Sequence, residues 1–182
     1  MVDSRSPGGL ADYSTWRARD YFETYYSEVV LPDEQAVLAY QIEVMRRAGT
    51  RFGRALEYGC GPTLHRAIAA SAYAFRIDMA DWLADNLVFE SDWSRFTRFI
   101  LACEGLPEAD RARVIRRESQ TRKCVRGLYV SDARWHDPLG EERRGYYDLI
   151  VSGFCLDAVS SDRGVWRACM QNVLSMLAPG GT

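Results

Sequence analysis

No apolar run in this chain approaches the roughly 18 residues that a membrane-spanning helix needs, and the opening residues MVDSRSPGGL contain no apolar core of a secretory signal. Neither a membrane segment nor an export signal is expected, and the setting read from the sequence is the cytoplasm. Charge of one sign is equally scarce, with 23 Lys and Arg against 25 Asp and Glu and a formal net charge of −2. Without a concentrated basic face, a nucleic acid partner is not expected. Histidine is nearly absent, as His65 and His136 alone, and the five cysteines, Cys60, Cys103, Cys124, Cys155 and Cys169, contain no C-x-x-C pair. That pattern matches neither a zinc site nor a full disulfide framework. No metal is expected, and the thiols are read as reduced and packed as small hydrophobes.

What the chain does have is apolar content. At 47 % of 182 residues it supports one domain with a substantial core. Residues 20–30 place Tyr21, Phe22, Tyr25, Tyr26, Val29 and Val30 on one helical stripe. Such a stripe packs on a core, or, because tyrosine has a polar tip, covers a ligand that offers hydrogen bonds. A second helix is predicted from Pro32, with Asp33 and Glu34 in its first turn, to Arg46 and Arg47, stopping at Gly49. Strands are predicted at 55–58, 74–80, 125–130 and 147–152. Helices are predicted at 64–71, from 81 or 82 onward, at 92–103 and from 165 to 177, and the charged stretch 107–123 reads as a solvated helix or insertion. Residues 134–145 read as a polar loop. Strand and helix in alternation imply an α/β fold with a parallel sheet.

Chemistry enters at residues 54–66, RALEYGCGPTLHR, where a strand runs into a glycine turn and out into a helix. Gly59 and Gly61 let backbone approach a ligand closely, and Asp81, twenty-two residues beyond Gly59, ends the next strand. There it accepts ribose hydroxyls or caps a helix. Leu64 stands where a dinucleotide turn has its third glycine, and Glu57 would set a carboxylate beside a pyrophosphate, so NAD is disfavoured. An adenosyl cofactor without phosphate, carrying a sulfonium and an ammonium, suits Glu57 better. S-adenosyl-L-methionine is such a molecule. Asp132, after the third strand, is placed either for an adenine amino group or as a turn residue. His65 contacts the cofactor or lies on the helix surface, and His136 sits in the polar loop.

Seven blocks in order, RDYFETYY at 19–26, EYGCGPT at 57–63, DWLADNL at 81–87, DWS at 92–94, DPLG at 137–140, VSGFCLDAVS at 151–160 and LAPGG at 177–181, resemble the nicotinamide, phenylethanolamine and indolethylamine N-methyltransferase family. The resemblance implies a Rossmann-like, mostly parallel sheet with helices on both faces. It also implies methyl transfer from S-adenosyl-L-methionine to a small-molecule amine acceptor. By the same resemblance Tyr21 and Tyr26 close over the methionine end of the cofactor, and Gly59, Gly61 and Thr63 form the floor. Asp81 and Asn86 hold the ribose, Asp132 and Ala133 border the adenine, and Gly153 begins a wall that runs to Asp157, the residue facing the acceptor. Two positions depart from the family: His65 replaces a frequent tyrosine, and Gly153 is smaller than its usual counterpart.

The whole chain, 1–182, then reads as a single methyltransferase domain with a helical lid at 1–50 and a cofactor-binding core at 51–182. In the family the PGG turn leads into further strands. Their lack here predicts an open apolar edge at 147–152, to be completed by self-association or a second chain. The alternative function is a non-catalytic cofactor-binding module, or a fragment of a split enzyme.

Overall fold

The computed structural model describes residues 13 and 15–182. Four strands, β1 (Phe52–Tyr58), β2 (Ala74–Asp81), β3 (Val125–Val130) and β4 (Leu149–Val151), pair in parallel in the order β3-β2-β1-β4. The predicted α/β class and parallel sheet hold. Side-chain alternation along β1 sends Ala55 to one face and Leu56 to the other. One face packs on α1 (Ala18–Tyr25), α2 (Pro32–Arg47), α3 (His65–Ala70) and α5 (Ser94–Cys103) through residues such as Phe22, Leu38, Ile68 and Phe96. The other is covered by α7 (Arg163–Leu174) through Cys169 and Val173, with Tyr147 and Met176 beside them.

Local chemistry sets the helix ends. α2 begins at Pro32 and carries Arg46 and Arg47 in its last turn, and Gly49 leaves it at φ 69°. Asp162 caps α7, accepting from the amides of Gly164 and Val165 at 2.8 and 2.9 Å. The first helix stops at Tyr25, short of the predicted Val30. Leu31 precedes Pro32 in an extended conformation, and the hydroxyls of Thr24 and Ser27 turn back to the carbonyls of Asp20 and Glu23. After β2 only a four-residue helix, α4 (Ala84–Leu87), forms. The charged stretch folds as α6 (Arg111–Cys124), which buries Val114, Thr121 and Cys124 and pairs Arg117 with Glu104.

The edge expected to be open is only partly so. Thr182 lies along β4, accepting from the Ile150 amide at 2.9 Å and donating to the Asp148 carbonyl at 3.0 Å. No helix among the described residues is long and apolar enough to cross a membrane.

Candidate functional site

Parallel strands expose a crevice at their carboxyl ends, and this chain has its cavity there. Tyr58 and Gly59 lead from β1 into it, Asp81 ends β2 beside it, and Ser131, Asp132 and Ala133 follow β3 along its far wall. The floor is the glycine turn. Gly59 and Gly61 adopt φ 71° and 58°, where L side chains are strained. Gly59 has a second constraint, because a Cβ there would lie 2.0 Å from Cys155 Sγ. The turn is tied to β2 by the amides of Gly59 and Cys60, which both donate to the Ala80 carbonyl. Thr63 closes it by donating its hydroxyl to the Cys60 carbonyl at 2.6 Å.

Asp81 joins floor and wall. Its Oδ2 accepts from the Gly61 amide at 2.7 Å, and its Oδ1 accepts from the Leu83 amide at 3.0 Å and Asn86 Nδ2 at 2.7 Å. A carboxylate offers about four acceptor sites, so one remains for a ligand. Asn86 Oδ1 in turn accepts from Trp16 Nε1 at 3.2 Å. The Trp16 ring lies tilted 4.4 Å from Tyr21, and Tyr21 lies 5.6 Å from Tyr26, so the N-terminal aromatics roof the cavity as one connected group. Burial raises the pKa of both tyrosine hydroxyls, that of Tyr26 well above its ordinary range, which keeps them neutral.

Ten of the twelve residues singled out from sequence line this cavity: Tyr21, Tyr26, Gly59, Gly61, Thr63 and Asp81, together with Asn86, Asp132, Ala133 and Gly153. Asp132 is already engaged, its two oxygens taking the backbone amide and the guanidinium of Arg134 at 2.6 to 2.9 Å. Arg134 lies 4.7 Å over the Trp82 ring. The two residues outside the lining are Glu57 and Asp157. Glu57 points into the core below the turn, with neither carboxylate oxygen hydrogen-bonded. Burial pushes its pKa up to about 8, against the nearby positive charge of Arg66. Asp157 is exposed in a short turn at the mouth, and its charge helps raise the Tyr13 hydroxyl, after burial of that ring.

His65 is neither a cofactor contact nor a surface residue. It is fully buried between Tyr26 and Phe96, with Nε2 2.8 Å from Glu34 Oε1. Burial depresses its pKa to about 4 despite that partner. The surface reading fails because every residue of α3 is buried. His136 is exposed in the loop, beside Asp137 and Arg144. Trp16, Arg66 and Arg134 line the cavity without having been singled out. Arg66 ends the 54–66 stretch, and Trp16 lies three residues before the 19–26 block, which is the one local signal each carries. No cluster of three or more His, Cys, Asp or Glu among the described residues has the geometry of a metal site.

A model of the NNMT/PNMT/TEMT family matches residues 9–182. Nicotinamide N-methyltransferase of Sus scrofa is 25 % identical over 183 residues, a match covering 92 % of this chain and 68 % of that protein. Phenylethanolamine N-methyltransferase of Bos taurus is 31 % identical over 142 residues, covering 71 % and 49 % respectively. The chain thus spans from half to about two-thirds of the length of these relatives. Among solved structures, the N-methyltransferase NodS of Bradyrhizobium japonicum, in complex with S-adenosyl-L-homocysteine, shares the fold with a TM-score of 0.52 at 17 % identity, over 90 % of this chain and 69 % of that one.

Proposed function

This chain belongs to the NNMT/PNMT/TEMT family, and on that premise we propose that its cavity binds S-adenosyl-L-methionine and presents the methyl group to a small-molecule amine. The observation that carries the reading is Asp81, which fastens the glycine turn through Gly61 while keeping one acceptor position toward the cavity. A ribose hydroxyl fits that position. The turn has Leu64 in place of a third glycine, a feature that suits a cofactor without phosphates.

When bound, this cofactor supplies an activated methyl and a neutral thioether leaving group. The contribution of the protein is then alignment and exclusion of water, which in well-oriented systems is worth roughly 7–11 kcal/mol. Gly59 and Gly61 let the backbone form a close floor, and Asp81 with Asn86 fixes the ribose. Trp82 and Ala133 flank the adenine, whose amino group competes with the partly exposed Arg134 for Asp132. Tyr13, Trp16, Tyr21 and Tyr26 close the roof. Behind this roof, α2 buries Glu34, Leu38, Ile42 and Met45 in the core. Asp157, at the mouth, attracts a cationic amine toward the cavity. A cytoplasmic setting is supported by all five cysteines being free. A partner strand continuing the sheet beyond β4 belongs to the same reading, and a monodisperse monomer in solution excludes it.

Calorimetric titration tests the site. Asp81→Ala is expected to weaken binding of S-adenosyl-L-homocysteine roughly 10- to 100-fold, the effect of losing a charge-assisted hydrogen bond. NAD is expected not to bind. Unchanged affinity in the variant overturns the placement, and methyl transfer to none of a broad panel of amines overturns the activity.

A further inference from the structure

The near-neutral formal charge conceals an uneven distribution. Residues 111–126 hold seven of the 23 Lys and Arg but one of the 25 Asp and Glu, leaving 16 against 24 elsewhere. All of that stretch except its last two residues is α6. Val114, Thr121 and Cys124 are buried on its inner face, where Arg117 bonds Glu104 at 2.9 Å and Glu118 accepts from the Thr97 hydroxyl at 3.1 Å. The outer face, at spacings of four, five, eight, eleven and twelve from Arg111, holds Ile115, Arg116, Ser119, Arg122 and Lys123. It carries no acid. The four cations on it are exposed, and the salt bridge that α6 makes among the described residues is that of Arg117 with Glu104. Asp110, before the helix, spends its Oδ1 on the Arg113 amide at 2.8 Å. Ile115 stands 50 % exposed among the cations, with Leu106 38 % exposed in the connection from α5.

Nothing described in the fold covers this face. α6 packs on α3, α5, β2 and β3, at the opposite edge of the sheet from β4, so a strand continuing the sheet beyond β4 leaves it bare. Like charges gathered this closely repel one another unless an anionic surface receives them. A helix of 14 residues, about 21 Å long, is best matched by negative charge spread over a plane. An anionic bilayer is such a plane. Each Lys or Arg near it strengthens attachment about fivefold, and an aliphatic side chain among the cations enters the acyl boundary. A nucleic acid matches less well. Single strands are held on aromatic platforms, which the outer face lacks. The amide of Gln120, suited to reading a base edge, is spent on the Ser71 carbonyl at 2.6 Å. We propose that α6 is a docking surface for anionic phospholipid, with Arg111, Arg116, Arg122 and Lys123 on the headgroups and Ile115 inserted between them. None of these residues lines the cavity, so docking and cofactor binding are separable.

The test is sedimentation of the full chain with phosphatidylcholine vesicles, prepared with and without phosphatidylserine. Binding is expected where phosphatidylserine is present, and is expected to weaken as added salt shortens the screening length below about 8 Å. Arg116→Gln/Arg122→Gln/Lys123→Gln removes three exposed charges and is expected to lower partitioning about 100-fold. Its melting temperature and its affinity for S-adenosyl-L-homocysteine are expected to match those of the wild type. Ile115→Ser keeps every charge and is expected to cost roughly tenfold. Free glycerophosphoserine, polyglutamate and a short RNA duplex, added at equal charge, serve as competitors, and none is expected to displace the vesicles. Displacement by any of them assigns the face to that anion and overturns the proposal. It is equally overturned by equal binding to phosphatidylcholine alone, by vesicle binding that the triple variant retains, or by Ile115→Ser binding undiminished.

Discussion

Gly59→Ala is expected to destabilise the protein by about 2–5 kcal/mol and to abolish cofactor binding. Two independent penalties meet at this residue. Its φ of 71° holds an L side chain in the left-handed region, at about 1–2 kcal/mol. The new methyl would also lie 2.0 Å from Cys155 Sγ and 2.3 Å from its Cβ. The Cβ cannot swing away by rotation of the side chain, so the backbone after β4 has to move, and overpacking of that kind typically adds about 1–3 kcal/mol. For a chain of this length the sum lowers Tm by roughly 5–15 °C. Gly61→Ala is the control, having a similar φ of 58° but nothing within 4 Å of an added Cβ. It should show the backbone penalty alone. Equal melting temperatures for the two variants would mean that Cys155 does not abut the turn.

The second large effect is on pH. Glu57 has its pKa raised by burial from 4.5 to about 8, so the folded protein holds a proton that the unfolded chain releases. Its stabilising contribution is present below pH 4.5 and is lost as pH rises to 8, a span equivalent to about 5 kcal/mol. His65 works the other way, with its pKa depressed by burial from 6.5 to about 4. Its contribution is present above pH 6.5 and is lost as pH falls to 4, about 3 kcal/mol over the span. Between pH 4.5 and 6.5 the two slopes oppose each other, and above 6.5 only that of Glu57 remains. Denaturant titrations should therefore find a broad maximum on the acid side of neutrality and a decline toward pH 8. Glu57→Gln is expected to remove the decline and to leave the variant more stable than the wild type at pH 8. A wild type whose stability is flat from pH 6.5 to 8 would show that Glu57 is ionised in the fold.

Sequence reading placed the glycine turn and the four strands because those features are local, and the family resemblance supplied most of the ten named residues that line the cavity. Gly59, Gly61 and Thr63 lie within five residues, and Asp81 closes the strand that follows. His65 shows where such reading ends. Its partner, Glu34, lies thirty-one residues earlier on another helix, and nothing in HRAIAA announces that all six residues of the helix are buried. Arg66 was passed over for the same reason, since its neighbours Glu34 and Gly153 are distant in sequence. Glu57 was assigned to the ligand from its place in the turn, but alternation along β1 turns it away into the core with Ala55. Asp132 was legible as a position, while its capture by Arg134 two residues on was not.

The strand order has a kinetic consequence. β1 pairs with β2 about twenty residues later, Leu56 facing Asp78, and with β4 nearly a hundred residues later, Leu56 facing Ile150. High sequence separation slows folding, because loop closure precedes the contacts that reward it. The segment holding Gly153 and Cys155, which closes over the turn, cannot dock until that last pairing forms. A binding-competent cavity is thus a late product of folding. Ligand capture during refolding should lag behind the appearance of β1–β2 structure, and bound ligand should slow hydrogen exchange in β4 as well as in the turn.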